Sequence, residues 1–148
     1  MKFNCKVWPV RTSHPAFPEE KFQWVPIVEV RLIHRHSPPS RRIESVVDSG
    51  SPDCMFHASI CMSLGIRNVE DGIEQQLTGV IGGPKAPIFF HKVKILVGSE
   101  QIESMVGFSW KLAVGGILGR RGFFENFLVR IDSSTTPPTC ELEKIHRT

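Results

Sequence analysis

Short stretches in which apolar and polar residues alternate, separated by turns rich in glycine and proline, constrain the fold of this chain more than any other feature. Residues 24–33 alternate in this way apart from Pro26, and residues 42–47 end in the apolar pair Val46-Val47. Alternation over such lengths is typical of β-strands with one buried face. With about seven or eight such segments and no internal repeat, the sequence predicts a mostly β, largely antiparallel domain with one or two short helices.

Two segments are predicted to be helical. Residues 55–64 contain apolar side chains and are followed by Gly65, and glycine commonly ends a helix because it tolerates the left-handed conformation. Residues 120–127 contain three phenylalanines with the spacing of a short amphipathic helix. Residues 128–132 and 140–145 then predict a closing β-hairpin, because serine, threonine and proline residues separate them.

The composition indicates a single packed domain. The chain has 148 residues, of which 41% are hydrophobic and 22% are charged, and these proportions suit a folded core rather than disorder. Residues 1–22 contain three prolines and show no sustained periodicity, which predicts an N-terminal arm or irregular lead-in. We therefore divide the chain into this arm, residues 1–22, and one domain, residues 23–148.

Charge, hydropathy and cysteine spacing argue against several classes of protein. The formal net charge is +3 and the basic residues are scattered, which argues against nucleic acid binding. The N-terminus lacks an apolar run of signal-peptide length, and no segment approaches the ~20 apolar residues of a membrane span. We therefore expect a cytoplasmic protein without a membrane partner. In that compartment the four dispersed cysteines predict free thiols.

Asp48 is the residue whose position most needs an explanation. It follows the apolar pair Val46-Val47 and opens a cluster of turn residues that extends to Asp53. A carboxylate at the end of a buried strand loses hydration free energy unless hydrogen bonds or a partner charge replace the water. Two carboxyl groups about 3 Å apart share one proton and can act as base and acid on one water molecule. Asp-Ser-Gly is also a common turn tripeptide, so the tripeptide alone indicates catalysis only weakly.

Three separated segments resemble, in the same order along the chain, motifs of the retropepsin-like family of single-domain aspartic proteases. Residues 46–53, Val-Val-Asp-Ser-Gly-Ser-Pro-Asp, resemble the catalytic loop of that family. Residues 79–83, Gly-Val-Ile-Gly-Gly, resemble the glycine-rich tip of its flap. Residues 116–120, Gly-Ile-Leu-Gly-Arg, resemble the segment that packs beneath the catalytic loop. The resemblance spans roughly residues 24–132.

The resemblance implies a closed β-barrel half with a β-hairpin flap, and it assigns roles to particular residues. It implies that Asp48 is catalytic, with Ser49 and Gly50 completing the catalytic loop. It further implies that Gly119 and Arg120 form a structural motif beneath that loop. The residues implied to contact a substrate bound as an extended strand are Ser51, Asp53, Gly79, Ile81, Gly82, Gly83 and Ile117.

The single catalytic loop implies a homodimer, because the reaction needs two aspartates and Asp132-Ser133-Ser134 lacks the glycine of a second loop. The resemblance therefore implies an aspartic endopeptidase that hydrolyses peptide bonds with a water activated by two symmetry-related Asp48 carboxyls, without a metal or another cofactor.

Two residues of the loop depart from the family pattern. Pro52 stands where an acid usually holds the arginine that corresponds to Arg120. Ser51 stands where the viral enzymes commonly have alanine, and a hydroxyl donor near the carboxylates would favour their ionised form. We therefore expect a more acidic pH optimum than in relatives with alanine.

Three alternatives remain open. A catalytically silent dimeric peptide-binding or scaffolding module with the same fold would grip an extended strand without cleaving it. An adhesion or assembly protein without a peptide groove would not respond to peptidic ligands. A zinc site could form from Cys54, His57 and Cys61, which share a helix face at i, i+3 and i+7, with His91 as the fourth ligand. Buried cysteines on an apolar face are more often ordinary core residues.

Overall fold

The chain folds into twelve strands and two short 3-10 helices in the computed structural model, which describes residues 1–77 and 85–147. The predicted mostly β fold is confirmed. None of the helices in these ranges is long and apolar enough to cross a membrane. The strands are β1 (Lys2–Asn4), β2 (Lys6–Pro9), β3 (Phe22–Val25), β4 (Ile27–Ile33), β5 (Ile43–Val47), β6 (Met55–His57), β7 (Ile73–Leu77), β8 (Ala86–Val97), β9 (Glu100–Ser109), β10 (Gly116–Leu118), β11 (Phe127–Asp132) and β12 (Thr139–Lys144), and the helices are η1 (Ala58–Leu64) and η2 (Val69–Asp71).

Six of the strands close into a barrel. Their order is β4-β5-β10-β6-β9-β8, and β8 pairs in turn with β4, so each of the six has a neighbour on both sides. The pairs β5–β10 and β6–β9 are parallel, whereas the other pairs of the ring are antiparallel. Closure removes the unpaired edges that an open sheet would expose. β7 pairs with β8 outside the ring.

The barrel core is filled by side chains that alternate along the strands. In β4, Val28, Val30 and Leu32 are buried, whereas Glu29 and Arg31 between them are exposed. Phe56 of β6 and Phe108 of β9 are also fully buried, and their ring centroids lie 6.4 Å apart. Burial of side chains of this size contributes about 1.5–3 kcal/mol each, so the core determines which face of each strand points inward.

The predicted helical segment at residues 55–64 divides into strand β6 and helix η1. Gly65 ends η1 with a φ of 74°, and its N–H donates to the carbonyls of Cys61 and Met62. Glycine adopts this left-handed conformation without steric cost. The predicted stop at Gly65 is therefore confirmed.

The helix predicted for residues 120–127 is wrong. Residues 120–126 form a series of turns, and β11 begins at Phe127. Gly122 adopts a φ of 92°, which lies outside the helical region and interrupts the helix before it can form. Phe123 and Phe127 are buried, so the apolar spacing reflects turns that pack onto the core.

Outside the barrel, the two ends of the chain form a small sheet. β1 pairs with β12, and β12 pairs with β11, both antiparallel, so the predicted closing hairpin is confirmed. β2 pairs with β3 in a separate two-stranded sheet. Residues 1–22, expected to be an irregular lead-in, therefore include two short strands that pair with later parts of the chain.

Candidate active site

Asp48 lies at the point where β5 leaves the barrel. β5 runs parallel to β10, with Val47 beside Leu118. The backbone N–H of Asp48 donates to the carbonyl of Leu118 at 3.0 Å, which extends the strand pairing one residue into the loop. Asp48 is half-buried, whereas Ser49 and Gly50 are exposed. The barrel therefore fixes the base of the loop and leaves its tip accessible.

The Asp48 carboxylate is oriented by its own loop. The N–H of Gly50 donates to Oδ1 of Asp48 at 2.9 Å, and the N–H of Ser51 donates to the Asp48 carbonyl at 3.2 Å. An aspartate that accepts from the backbone two residues ahead forms an Asx turn, which fixes its side chain relative to the main chain. A Cβ at position 50 would lie 3.1 Å from Oδ1. Glycine provides the room for this close approach.

Arg120 supports the loop from the neighbouring segment. Its Nη1 donates to the carbonyls of Ser49 at 2.8 Å and Gly50 at 3.2 Å. Its backbone N–H donates to the carbonyl of Ser51 at 2.9 Å. Position 52 is proline and offers no carboxylate to this guanidinium, and carbonyl oxygens of the loop accept from it instead. The predicted structural motif is thus in contact with the loop that carries Asp48.

Gly119 is required by the closeness of two backbone segments. A Cβ there would lie 2.2 Å from the carbonyl oxygen of Asp53 and 2.7 Å from that of Ser51. Both atoms belong to the backbone and cannot rotate away. A side chain at this position would therefore displace the loop.

Asp53 forms an ion pair with Arg121, the second of the two adjacent arginines. Nε of Arg121 donates to Oδ1 at 2.6 Å and Nη2 donates to Oδ2 at 3.0 Å. The Asp53 side chain is only 12% exposed, and its hydrogen bond and charge raise the pKa of Arg121. Sequence reasoning missed Arg121. The adjacent pair Arg120-Arg121 could have indicated it, because only one of these two arginines was expected to contact the loop. Asp53 as a substrate contact stays a prediction.

The Ser51 hydroxyl does not donate its hydrogen bond to Asp48. It donates to the carbonyl of Asp53 at 2.8 Å, and Ser51 is buried. A hydroxyl carries one proton, so this bond leaves none for the Asp48 carboxylate. The reasoning that connected Ser51 to an acidic pH optimum therefore loses its structural basis. Ser51 instead ties the loop to the segment that leads into β6.

A groove of about 440 Å³ lies beside Asp53 and reaches the strands that lead to the predicted flap. Neither Asp48 nor Ile117 is among its described lining residues, and Ile117 lies half-buried in β10 beside Met55. The predicted flap-tip residues Gly79, Ile81, Gly82 and Gly83 lie outside the described residues. The groove is lined by Asp53, Arg121 and Glu125 on its charged side, and by Ile73, Gln75, Phe90, Ser104 and Met105 of β7, β8 and β9.

Cys54 packs directly beneath the loop. The N–H of Gly119 donates to its Sγ at 3.4 Å, and the thiol donates to the carbonyl of Arg121 at 3.4 Å. Burial raises the pKa of Cys54 to about 11, so it stays a neutral thiol at physiological pH. All four cysteines are free, as predicted, and all four are buried.

The residues of the alternative zinc site take other roles. His57 precedes η1, and its Nδ1 accepts from the N–H of Ser59 at 3.2 Å. Nε2 of His91 lies 2.8 Å from the carbonyl of Val69. Across residues 1–77 and 85–147, no group of three or more histidine, cysteine, aspartate or glutamate side chains is arranged to hold a metal ion.

Comparison with known proteins adds a fold likeness. No protein-family model matches the chain, and no curated protein matches it by sequence. Among solved structures it is similar to the EIAV protease complexed with the inhibitor HBY-793, with a TM-score of 0.46 and 21% identity over 65% of this chain and 82% of that chain. The mostly β closed barrel is established by the strand pairing of the chain itself. A likeness at this level carries no argument for activity or substrate.

Proposed function

We propose that the chain is an aspartic endopeptidase that acts as a homodimer, with one Asp48 from each copy. The observation that carries the proposal is the presentation of Asp48. Its carboxylate is half-buried, its Oδ1 accepts from the Gly50 N–H, and Leu118 and Arg120 hold the loop on either side. Catalytic groups need this kind of fixed orientation, because small displacements lower the rate steeply.

The reaction follows from two carboxyl groups that share one proton. The ionised Asp48 takes a proton from a water molecule, and the water oxygen attacks the carbonyl carbon of the scissile peptide. The protonated Asp48 of the partner subunit donates its proton to the carbonyl oxygen, which gives a neutral tetrahedral diol. Collapse of the diol breaks the C–N bond, while a carboxyl donates a proton to the leaving nitrogen and the other receives one from the diol.

One loop per chain makes the second copy part of the site. A twofold axis between two loops would bring the exposed residues Ser49 and Gly50 of one copy against those of the other. The Ser49 hydroxyl would then be available to bond across the axis and tie the loops together. The isolated monomer is expected to be inactive.

The edge of the terminal sheet supports this association. β11 lies at the edge of the sheet β1-β12-β11, and its side chains Leu128 and Ile131 are 60% and 47% exposed. An exposed edge strand with apolar residues favours pairing with another strand. Antiparallel pairing of two copies of β11 centred on Ile131 would place Arg130 opposite Asp132 of the partner subunit, which is electrostatically favourable.

The groove beside Asp53 suits an extended peptide. Its apolar wall of Ile73, Phe90 and Met105 would contact hydrophobic side chains, and its Asp53–Arg121 pair would contact polar ones. A peptide that lies between this wall and the loop would run beneath the predicted flap, whose tip would close over the substrate from Gly79 to Gly83. Substrate binding as an added strand is the recognition mode that such a site would use.

The test is cleavage of a diverse peptide pool by wild type, Asp48→Asn and the control Asp71→Asn between acidic and neutral pH. Asparagine keeps the acceptor for the Gly50 N–H and cannot share a proton, so the Asp48 variant should fold, dimerise and not cleave. Asp71 is exposed in η2, so its variant should retain full activity. Monomer and dimer are quantified in each sample. Cleavage by Asp48→Asn at the wild-type rate would remove the mechanism.

The silent peptide-binding module predicts a different result. Wild type and Asp48→Asn would then dimerise and bind the same peptides with equal affinity, and neither would release a product. Binding of a peptidic inhibitor with a hydroxyl in place of the scissile carbonyl separates the two functions further. A dyad binds such a compound much more tightly than the parent peptide, because it mimics the tetrahedral diol.

A further inference from the structure

A second cavity, of about 520 Å³, lies at the opposite end of β5 from Asp48. β5 and β10 are parallel, so both enter the barrel at this end and leave it at the catalytic loop. The cavity is bounded by Trp8 of β2, by Arg41 and Arg42 before β5, and by Gly115 before β10. Asp48 lies five positions after Ile43, the first residue of β5, which corresponds to about 16 Å at the rise of a strand. A ligand in this cavity would not occupy the peptide groove.

The cavity collects positive charge from two distant parts of the chain. Arg11 follows β2, whereas Arg41 and Arg42 precede β5, and all three line the same space. The one carboxylate among the described lining residues is Glu44, which accepts a hydrogen bond from Lys6. Lys6 therefore offsets the acid, so Glu44 does little to neutralise the arginines that line the cavity.

The arginines differ in how far they are already engaged. Nη1 of Arg42 lies 3.7 Å from Glu29, which also contacts Lys6 at 3.5 Å. Neither Arg11 nor Arg41 forms an ion pair with any residue in the described part of the chain. Arg11 and Arg41 both line this cavity, so their like charges repel each other, and an anion bound between them would relieve that repulsion. Planar guanidinium forks match the oxygens of a phosphate group, to which each can donate two hydrogen bonds.

Trp8 gives the cavity an apolar wall beside these charges. The residue is half-buried and lines the cavity. Aromatic faces bind planar or apolar groups and, when they adjoin guanidinium groups, favour ligands that combine such a group with an anion. We propose that this cavity binds a phosphate monoester whose ester oxygen carries an aromatic or other apolar group. The phosphate lies between Arg11 and Arg41, and the apolar group lies on Trp8.

The proposal is tested by calorimetric titration of the full chain with phenyl phosphate, inorganic phosphate and phenol at physiological salt. Phenyl phosphate should bind saturably and more tightly than either fragment, because only it engages both the arginines and the indole. Arg11→Gln or Arg41→Gln should weaken phenyl phosphate about tenfold, since each removes charge-assisted hydrogen bonds. Trp8→Leu should weaken phenyl phosphate and leave inorganic phosphate unchanged. Thermal melting of each variant confirms that it is folded.

The matched control is Arg67→Gln, which makes the same charge change at an exposed residue that does not line this cavity. It should change the affinity less than twofold. Titration with a phosphotyrosine peptide then distinguishes the source of the ligand. If the peptide binds more tightly than phenyl phosphate, the natural ligand is a phosphorylated protein; if it binds equally or more weakly, the natural ligand is a small molecule. The absence of saturable phenyl phosphate binding, or an equal loss in Arg67→Gln and Arg11→Gln, would overturn the proposal. Neither result depends on whether the protein cleaves peptides.

Discussion

Two glycines that flank β10 allow the packing beneath the Asp48 loop to be measured. A Cβ on Gly119 would lie 2.2 Å from the carbonyl oxygen of Asp53, whereas a Cβ on Gly115 would approach no atom closer than 3.3 Å. Neither glycine has a positive φ, so alanine is compatible with both backbones. The two substitutions therefore differ in steric overlap and hardly at all in local conformation.

The expected magnitudes follow from that overlap. Overpacking typically costs about 1–3 kcal/mol, and the upper end applies to Gly119→Ala because the overlapping atoms belong to the backbone. Replacement of glycine also lowers the entropy of the unfolded chain, which stabilises the folded state by about 0.4–1 kcal/mol in both variants. We expect Gly119→Ala to lose about 2 kcal/mol of unfolding free energy and Gly115→Ala to stay within about 1 kcal/mol of wild type.

The measurement is urea unfolding followed by tryptophan fluorescence at one fixed protein concentration, because association makes apparent stability depend on concentration. With a slope of about 2 kcal/mol per M, the midpoint of Gly119→Ala should fall by about 1 M. In the absence of urea, the same variant should lose most of its peptidase activity, because the backbone of Ser51 and Asp53 that it displaces continues the loop of Asp48. Equal midpoints for the two alanine variants would refute the steric account of Gly119.

Three further predictions concern association, pH and the support of the loop. Leu128→Asp should shift the protein toward monomer in analytical ultracentrifugation and reduce cleavage in parallel. The control Met62→Asp, at a residue that is 73% exposed in η1, should do neither. An unchanged dimer in Leu128→Asp would remove β11 from the interface. Burial lowers the pKa of His34 below its ordinary 6.5, so its contribution to stability is complete above pH 6.5 and is lost as the pH falls toward the folded value. The midpoint of His34→Gln should therefore fall less than that of wild type between pH 7.5 and 5, and parallel decreases would contradict the assignment. Arg120→Ala should lower kcat by tenfold or more with a small change in stability of about 1 kcal/mol, because its bonds to loop carbonyls are exposed; wild-type turnover would show that the loop holds its shape without the guanidinium.

The charge arrangement around the loop explains how it tolerates Pro52. The carbonyls of Ser49 and Gly50 accept from Arg120, and the carboxylate of Asp53 accepts from Arg121. Arg120 and Arg121 are adjacent in the sequence, and each thereby binds a different end of the same short loop. Proline at position 52 cannot donate a backbone hydrogen bond, but its carbonyl accepts from the N–H of Arg121 at 2.9 Å. The loop is thus held at several points although position 52 carries no acidic side chain.

Local patterns in the sequence were enough to predict a mostly β fold and the turn that begins at Asp48. Alternating apolar residues predicted β4 and β5, because a strand with one buried face must repeat every second residue. Gly65 predicted the end of η1, since few other residues adopt its left-handed conformation at low cost. Asp48 could be singled out because a carboxylate that follows a buried strand needs compensating contacts.

Interactions between distant residues were decided only by the tertiary structure. Closure of the barrel depends on the pairing of β4 with β8, more than fifty residues apart, and no local pattern specifies a partner strand. The sequence pattern also did not predict β9, and it predicted a helix at residues 120–127 where the φ of Gly122 and the burial of Phe123 produce turns. The choice of Arg121 for Asp53, and the meeting of Arg11 with Arg41 at one cavity, likewise required the folded chain. Hydrogen bonds and ion pairs act over a few ångströms of space, and the sequence records only separation along the chain.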